Sequence, residues 1–387
     1  MTLDDFLLAL VAPARLGEEI TPGVRLLGIS TELGPRLTLQ VGEHEVHVEI
    51  APREPTRPSA AQSSRLALSY RSSTSAPVDA ALGVSLCRAL VDVIAPNEET
   101  ALRALRDAAP HGADAESSAK VREVRVARLL EPAGTPDARY FSVSPYVGCL
   151  IGCRFCYAHS HVAVSRTLAR LPEVPWGSYV DVRINAAEIL AAELSTAPLH
   201  PIKFCPIVSD PYQAVERRHR VTRGCLEVVR SEARGRPVLV LTRSAALVDD
   251  MELLASMANA WVGFSVPTED DAVRRHFEPR AASIPERLAT LALLRSRGVR
   301  TFAVLQPVLS DDVEALASAL AEVVDSVSID VLHGVQGAER DFDDPRFEHM
   351  RASSWQAERR AALAQALAAR GVGVWAGELP PELRGPR

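Results

Sequence analysis

The stretch Ser144-Pro-Tyr-Val-Gly-Cys149-Leu-Ile-Gly-Cys153-Arg-Phe-Cys156-Tyr157 decides how this chain is read. Three of the six cysteines fall within eight residues, spaced C-x3-C-x2-C. Gly148 and Gly152 permit tight or left-handed turns between them, so a short loop can turn three thiolates toward one centre. In a reducing compartment, clustered thiols bind metal or do chemistry rather than pair as disulfides. A cubane [4Fe–4S] cluster held by Cys149, Cys153 and Cys156 alone keeps one iron open. An open position is what a metal needs to take a substrate or cosubstrate. The alternative is a zinc site completed by His159, which would make the chain a zinc-stabilised binding module without chemistry. Structural zinc sites commonly draw a second ligand pair from a distant knuckle, and the sequence offers none.

Outward from this loop, apolar runs at 140–143, 202–208, 238–241, 260–266, 299–305 and 327–332 read as buried strands separated by segments of helical spacing. Asn185 with Glu188, and Ser283 with Glu286, fit capping boxes at helix starts. Strand–helix alternation of this kind implies a parallel sheet wound in right-handed crossovers, either open or closed into a full or partial barrel. In each case a site is expected at the carboxyl ends of the strands. The unusual residues fall there: the cysteine loop after the first strand, Ser209-Asp210-Pro211-Tyr212 after the second, Thr242-Arg243-Ser244 after the third, Ser265 at the end of the fourth, and Gln306-Pro307 at the end of the fifth.

The first ~120 residues differ in character. Residues 24–30 and 37–50 alternate apolar and polar positions around Gly34-Pro35, as in a hairpin with one wet face. Residues 66–70 suit another strand, and 80–94 and 98–108 have helical spacing. The Pro/Ser/Ala-rich 56–64 reads as a loop and 110–119 as a linker. The expected organisation is a small α+β accessory domain over 1–120, a barrel over 121–340, and a C-terminal extension over 341–387 with a helix at 355–369 and a short strand at 372–375.

Composition narrows the function classes. With 47% hydrophobic and 24% charged residues the chain is globular rather than disordered. A net charge of −6 leaves no global footprint for nucleic acid, which is therefore an unsupported partner. The basic run at 216–223 reads as a solvated helix face. Acids stand where a signal peptide would be basic, and no apolar run approaches ~20 residues, so a cytoplasmic protein without a membrane partner is expected.

The C-x3-C-x2-C loop with Phe155 before the last cysteine resembles the radical S-adenosylmethionine (SAM) superfamily. The order Pro-Tyr-x-Gly-Cys, Ser209-Asp-Pro-Tyr-Gln213 with Glu216, Thr242-Arg-Ser and Glu278-Pro-Arg280 looks like its spore photoproduct lyase-like branch, over roughly 142 to 309. The resemblance implies a partial (β/α)6 barrel and a [4Fe–4S] cluster whose open iron is chelated by the methionyl amine and carboxylate of S-adenosyl-L-methionine. It also implies reductive cleavage to a 5′-deoxyadenosyl radical and an electron donor such as flavodoxin or ferredoxin. Ser209 and Asp210 would hold the methionyl end. Arg243, where the branch has Lys, would pair with the carboxylate, with a different reach and fork. Ser265 would face the ribose or carboxylate, Tyr157 would offer backbone groups to the adenine, and Phe155 would pack nearby.

In photoproduct lyases proper, a cysteine two residues before the Ser-Asp pair donates a hydrogen atom. Here that position is Ile207, and Cys205 lies two residues further upstream, on the same strand face. Cys205 is thus either a displaced hydrogen donor or a buried apolar cysteine, and photoproduct repair is not expected. Cys87 and Cys225 read as core residues, and no cysteine follows Cys225 to build an auxiliary cluster. The expected activity is hydrogen-atom abstraction from a nucleobase, a peptide or a small metabolite, with the N-terminal domain as a candidate recognition module for a peptide or protein partner.

Overall fold

A computed structural model describes residues 2–32, 34–53, 65–72, 78–107, 120–135, 137–205, 207–232, 235–332, 335 and 337–384. The loop expected at 56–64 and the linker expected at 110–119 lie outside the described residues. The chain divides into two compact units, Met1–Arg128 with Ser160–Pro175, and Leu129–His159 with Trp176–Arg387.

The first unit is built on a five-stranded antiparallel sheet in chain order: Glu19–Thr21, Val24–Ser30, Arg36–Val41, His44–Pro52 and Leu66–Ser72. Leu37 and Leu39, and Val46, Val48 and Ile50, are buried on alternate positions, as the period of a one-sided strand requires. The helix Leu3–Leu10 starts at a capping box between Thr2 and Asp5 and packs Phe6, Leu7 and Leu10 into the core. The two helices expected at 80–94 and 98–108 form one, Ala80–Asp107, that continues through Pro96. The reason is phase: Leu90, Ile94, Ala101 and Leu105 fall on one buried stripe across the proline. This helix is long and apolar enough, by length and composition, to cross a membrane, and its apolar stripe packs into the unit's core. Val164 and Leu168, from the segment after the cysteine loop, join that same core.

The second unit carries an eight-stranded sheet. Seven strands run parallel in the order Tyr140–Ser142, Ile202–Phe204, Val238–Thr242, Ala260–Ser265, Arg300–Leu305, Ser326–Ile329 and Gly373–Trp375. Glu131–Ala133 pairs antiparallel on the outer edge of the first. The six expected strands are all present, and the C-terminal segment supplies a seventh. The second strand is shorter than its apolar run and ends at Phe204. Val238, Val240, Val262, Phe264, Ala303 and Leu305 point toward the helices. Leu239, Leu241, Trp261 and Phe302 point into the interior. Ser283 opens the helix Ile284–Ser296 through the expected capping box, whereas Asn185 makes no side-chain cap bond to Ala186–Leu194.

Candidate iron–sulfur site

The cysteine loop follows the first parallel strand and is held by its neighbours at nearly every residue. Tyr146 and Val147 form a short strand against Val180–Arg183. Gly148 and Gly152 have φ of 83° and 65°, conformations open to glycine but strained for residues with a Cβ. The space is closed as well. A Cβ on Gly148 would lie 2.7 Å from the Tyr179 ring, and one on Gly152 would lie 2.5 Å from Arg280 Nη2 and 2.8 Å from Gly177 Cα.

The residues after the second strand clamp this loop. Ser209 Oγ donates to the Gly148 carbonyl at 2.7 Å. Gln213 Nε2 donates to the same carbonyl at 3.2 Å, and its Oε1 accepts the Leu150 N–H at 2.8 Å. Glu216 accepts the Tyr146 hydroxyl and the Thr222 and Arg223 N–H groups at 3.0 Å, tying the loop's approach to the start of the helix Val221–Ser231. Asp210 is 1% exposed. Its carboxylate accepts from Thr242 Oγ1 at 2.6 Å, Arg243 N at 2.7 Å and Tyr212 N at 2.9 Å, which fixes the second strand end to the third. Ser209 and Asp210, expected to hold a cosubstrate, thus bind the protein's own backbone and side chains.

Cys149, Cys153 and Cys156 sit in one apolar cluster with Phe155, Phe277, Phe342 and Phe347. Burial pushes the Cys149 thiol up to about 12, against the N–H groups of Asp210 and Ile151 that its sulfur accepts. Burial also raises Cys153, opposed by the Arg243 charge, and Cys156, opposed by the N–H groups of Ala158 and His159 and by Arg243. Neutral thiols are poor ligands, and metal binding reverses the balance because the metal charge stabilises the thiolate. Three soft donors in an apolar setting, with backbone N–H groups aimed at the sulfurs, fit an iron–sulfur cluster. His159, the fourth ligand of the zinc alternative, places its ring 5.9 Å from that of Trp176.

Residues 143–320 match the model for the Radical SAM superfamily. Over those residues the chain is similar to radical SAM domains. Over 201 residues the chain is 24% identical to an uncharacterized protein of Methanocaldococcus jannaschii, covering 51% of this chain and 72% of the relative. An uncharacterized protein of Mycobacterium tuberculosis is 26% identical over 193 residues, 47% of this chain, and the chain spans about half (54%) of that relative's length. A solved spore photoproduct lyase variant with bound S-adenosylmethionine and dinucleoside spore photoproduct is 16% identical. It covers 70% of this chain and 87% of that chain at a TM-score of 0.50. That likeness shows the fold, as expected from the motif order.

Within the matched residues, the Arg243 charge bears on Cys153 and Cys156. Arg243 Nε donates to Glu278 Oε1 at 2.7 Å, and Glu278 also takes Arg287 Nη2 at 2.5 Å. Arg287 in turn donates to the Ser265 carbonyl at 2.6 Å. The Glu278-Pro279-Arg280 motif therefore bears on the cysteine loop through both of its charged residues. Glu278 anchors Arg243, while the Arg280 guanidinium packs against Gly152 and Gly177. Arg154 N also donates to the Phe277 carbonyl at 2.9 Å. Phe155 is buried with its ring 6.1 Å from Phe277, and Tyr157 is 37% exposed.

Cys205 is 8% exposed and belongs to the interior cluster with Leu239, Trp261, Phe302 and Leu379. Cys225 is fully buried in the helix-facing core, and Cys87 packs against the core of the first unit. The basic run is ion-paired: Arg217 with Asp249, and Arg220 and Arg223 with Asp250. Two contributions escaped the sequence reading. Phe342, Phe347 and Met350, from beyond residue 340, pack around the cysteines. Lys203, read only as a strand residue, donates inward to the Glu378 carbonyl at 2.9 Å and pairs with its carboxylate at 2.5 Å. The signal for Gln213 and Glu216 was present in the motif order, but their role as clamps was not.

Proposed function

We propose that this chain is a radical SAM enzyme in which Cys149, Cys153 and Cys156 hold a [4Fe–4S] cluster and S-adenosyl-L-methionine is the cosubstrate. The observation that carries the reading is the cysteine loop itself, clamped at the carboxyl end of a parallel sheet, with Cys149 and Cys153 buried in one apolar cluster and Cys156 half-buried against it. When bound, the cluster supplies an open iron for chelation and a low-potential electron.

The chain's own residues do the rest. Ser209, Gln213 and Glu216 keep the loop in place, and Asp210 fixes the neighbouring strand ends. Arg243 has one edge on Glu278 and in this reading presents its other nitrogens to the methionyl carboxylate. In the same reading Ser265, Tyr157 and Phe155 are the candidate contacts for ribose and adenine, and Asp210 is the candidate partner for the methionyl amine. An external one-electron donor of the flavodoxin or ferredoxin kind would reduce the site, and an organic substrate would lose a hydrogen atom.

Anaerobic reconstitution followed by iron and sulfide analysis tests the cluster, and release of 5′-deoxyadenosine from S-adenosyl-L-methionine with dithionite tests the chemistry. Both signals are expected from the wild type and neither from Cys153→Ala. A preparation with zinc at one per chain, no sulfide and no cleavage overturns the proposal.

A further inference from the structure

A charged network whose central carboxylate is shut off from water lies near the cysteine loop. Glu278 is 0% exposed and lies between Arg243 and Arg287, whose side chains are 13% and 0% exposed. Such an arrangement costs desolvation, and removing one member leaves an uncompensated buried charge. Its placement is held independently. Asp210 takes the Arg243 N–H, Ala282 N donates to the Arg243 carbonyl at 2.9 Å, and Phe277, adjacent to Glu278, accepts from Arg154 within the cysteine loop. The guanidinium is therefore fixed along both its backbone and its side chain, on a carboxylate one residue from Phe277, which packs in the same cluster as the three cysteines.

We propose that Arg243, held in position by Glu278, sets the reduction potential of the cluster borne by Cys149, Cys153 and Cys156, besides any contact with the cosubstrate. The inference rests on the function proposed above. Uptake of one electron from an external reductant adds one negative charge to the cluster and its three thiolates. A fixed cation in an apolar, low-dielectric setting stabilises that reduced state, and a fixed carboxylate opposes it. Arg243 is thus a charge-setting residue, and Glu278 a positioning residue that also tempers the cation.

The test is a reductive titration of the reconstituted full-length protein with dithionite, followed by electron paramagnetic resonance and performed without S-adenosyl-L-methionine. Arg243→Gln is expected to move the midpoint to more negative potential. Glu278→Gln, whose amide oxygen still accepts from Arg243 Nε, is expected to move it the opposite way. Arg243→Lys, which retains the charge, stays near wild type. If Glu278→Gln does not take up a full cluster, the comparison of Arg243→Gln with Arg243→Lys decides alone. Midpoints that do not differ between those two variants, with full iron and sulfide present, overturn the inference and leave Arg243 a cosubstrate contact only. Failure of the wild type to assemble a cluster is a separate result, visible before any titration, and sinks the functional reading instead.

Discussion

Gln213 grips the cysteine loop on both sides of Cys149: its amide nitrogen donates to the Gly148 carbonyl and its amide oxygen accepts the Leu150 N–H. A carboxamide can do this because it carries a donor and an acceptor on one rigid plane. Gln213→Glu would replace the donor with a second acceptor facing a carbonyl, so Gln213→Ala and Gln213→Glu are both expected to loosen the loop. The cost to unfolding free energy is about 1–3 kcal/mol for groups left unpaired in a buried setting. Iron and sulfide content after reconstitution should fall, while the circular dichroism of the sheet and helices stays unchanged. A full cluster in Gln213→Ala would show that the clamp is dispensable.

Gly152 is restricted twice, by a φ of +65° and by the Arg280 guanidinium and Gly177 backbone that a Cβ would strike. Gly152→Ala is therefore expected to cost about 1–3 kcal/mol from overpacking alone, with left-handed backbone strain of about 1–2 kcal/mol added. Removing the arginine in the double variant Gly152→Ala/Arg280→Ala relieves only part, because Gly177 Cα stays in the way. Urea denaturation of the wild type and of both variants checks this ordering. Full rescue by Arg280→Ala would place the whole conflict on the flexible side chain.

Burial alone would raise the Glu278 carboxyl, but the charges of Arg287 and Arg243 outweigh it and hold the group below its ordinary 4.5. A carboxylate with a depressed folded value contributes stability that is fully present above the unfolded value. That contribution is lost as pH falls through the folded value. The urea midpoint should thus hold from neutrality down to the ordinary carboxylate range and then decline. Glu278→Gln should be less stable at neutral pH and show a shallower acid limb. An acid limb identical to that of the wild type would assign the loss to other carboxylates.

The legible parts of this molecule are those whose signal is local. Six strands, the helix start at Ser283 and the three-thiolate loop all follow from period, capping chemistry or spacing within a few residues. The illegible parts depend on residues far apart in the chain. Ser209 and Asp210 carry the chemistry to bind an ammonium group, but nothing in their own neighbourhood tells that Gly148, Thr242 and Arg243 occupy them. Arg280 lies 128 positions beyond Gly152, and Phe342 lies further still, so their packing on the cysteine loop has no local pattern. Pro96 is the opposite case: a strong breaker by propensity is overridden where apolar residues stay in phase across it.

Cys205 shares its cluster with Leu379, whose segment also carries Glu378 to Lys203. A thiol packed in this way acts as a small apolar group. Cys205→Ala is expected to cost about 1 kcal/mol, within the ordinary range for a core truncation. Reductive cleavage of S-adenosyl-L-methionine should be unchanged, measured as 5′-deoxyadenosine released under dithionite. A clear loss of cleavage with a full cluster present would place Cys205 in the chemistry.

Val164 and Leu168 follow the cysteine loop in sequence but are packed in the core built by residues before 128. Deleting residues 1–120 would therefore do more than remove a separable module. It would strip Leu168, 4% exposed in the intact chain, of the strands and helices that cover it. At about 25 cal/mol per Å2, exposing such a side chain costs about 1.5–3 kcal/mol, and it lies only twelve residues from Cys156. The truncated chain should aggregate more readily and take up less iron and sulfide than full-length protein. Leu168→Ser in the full-length chain should produce the milder form of the same defect. A truncated chain that is monomeric by light scattering, with a full cluster and wild-type cleavage, would show that the segment 160–175 is stable without the unit it joins.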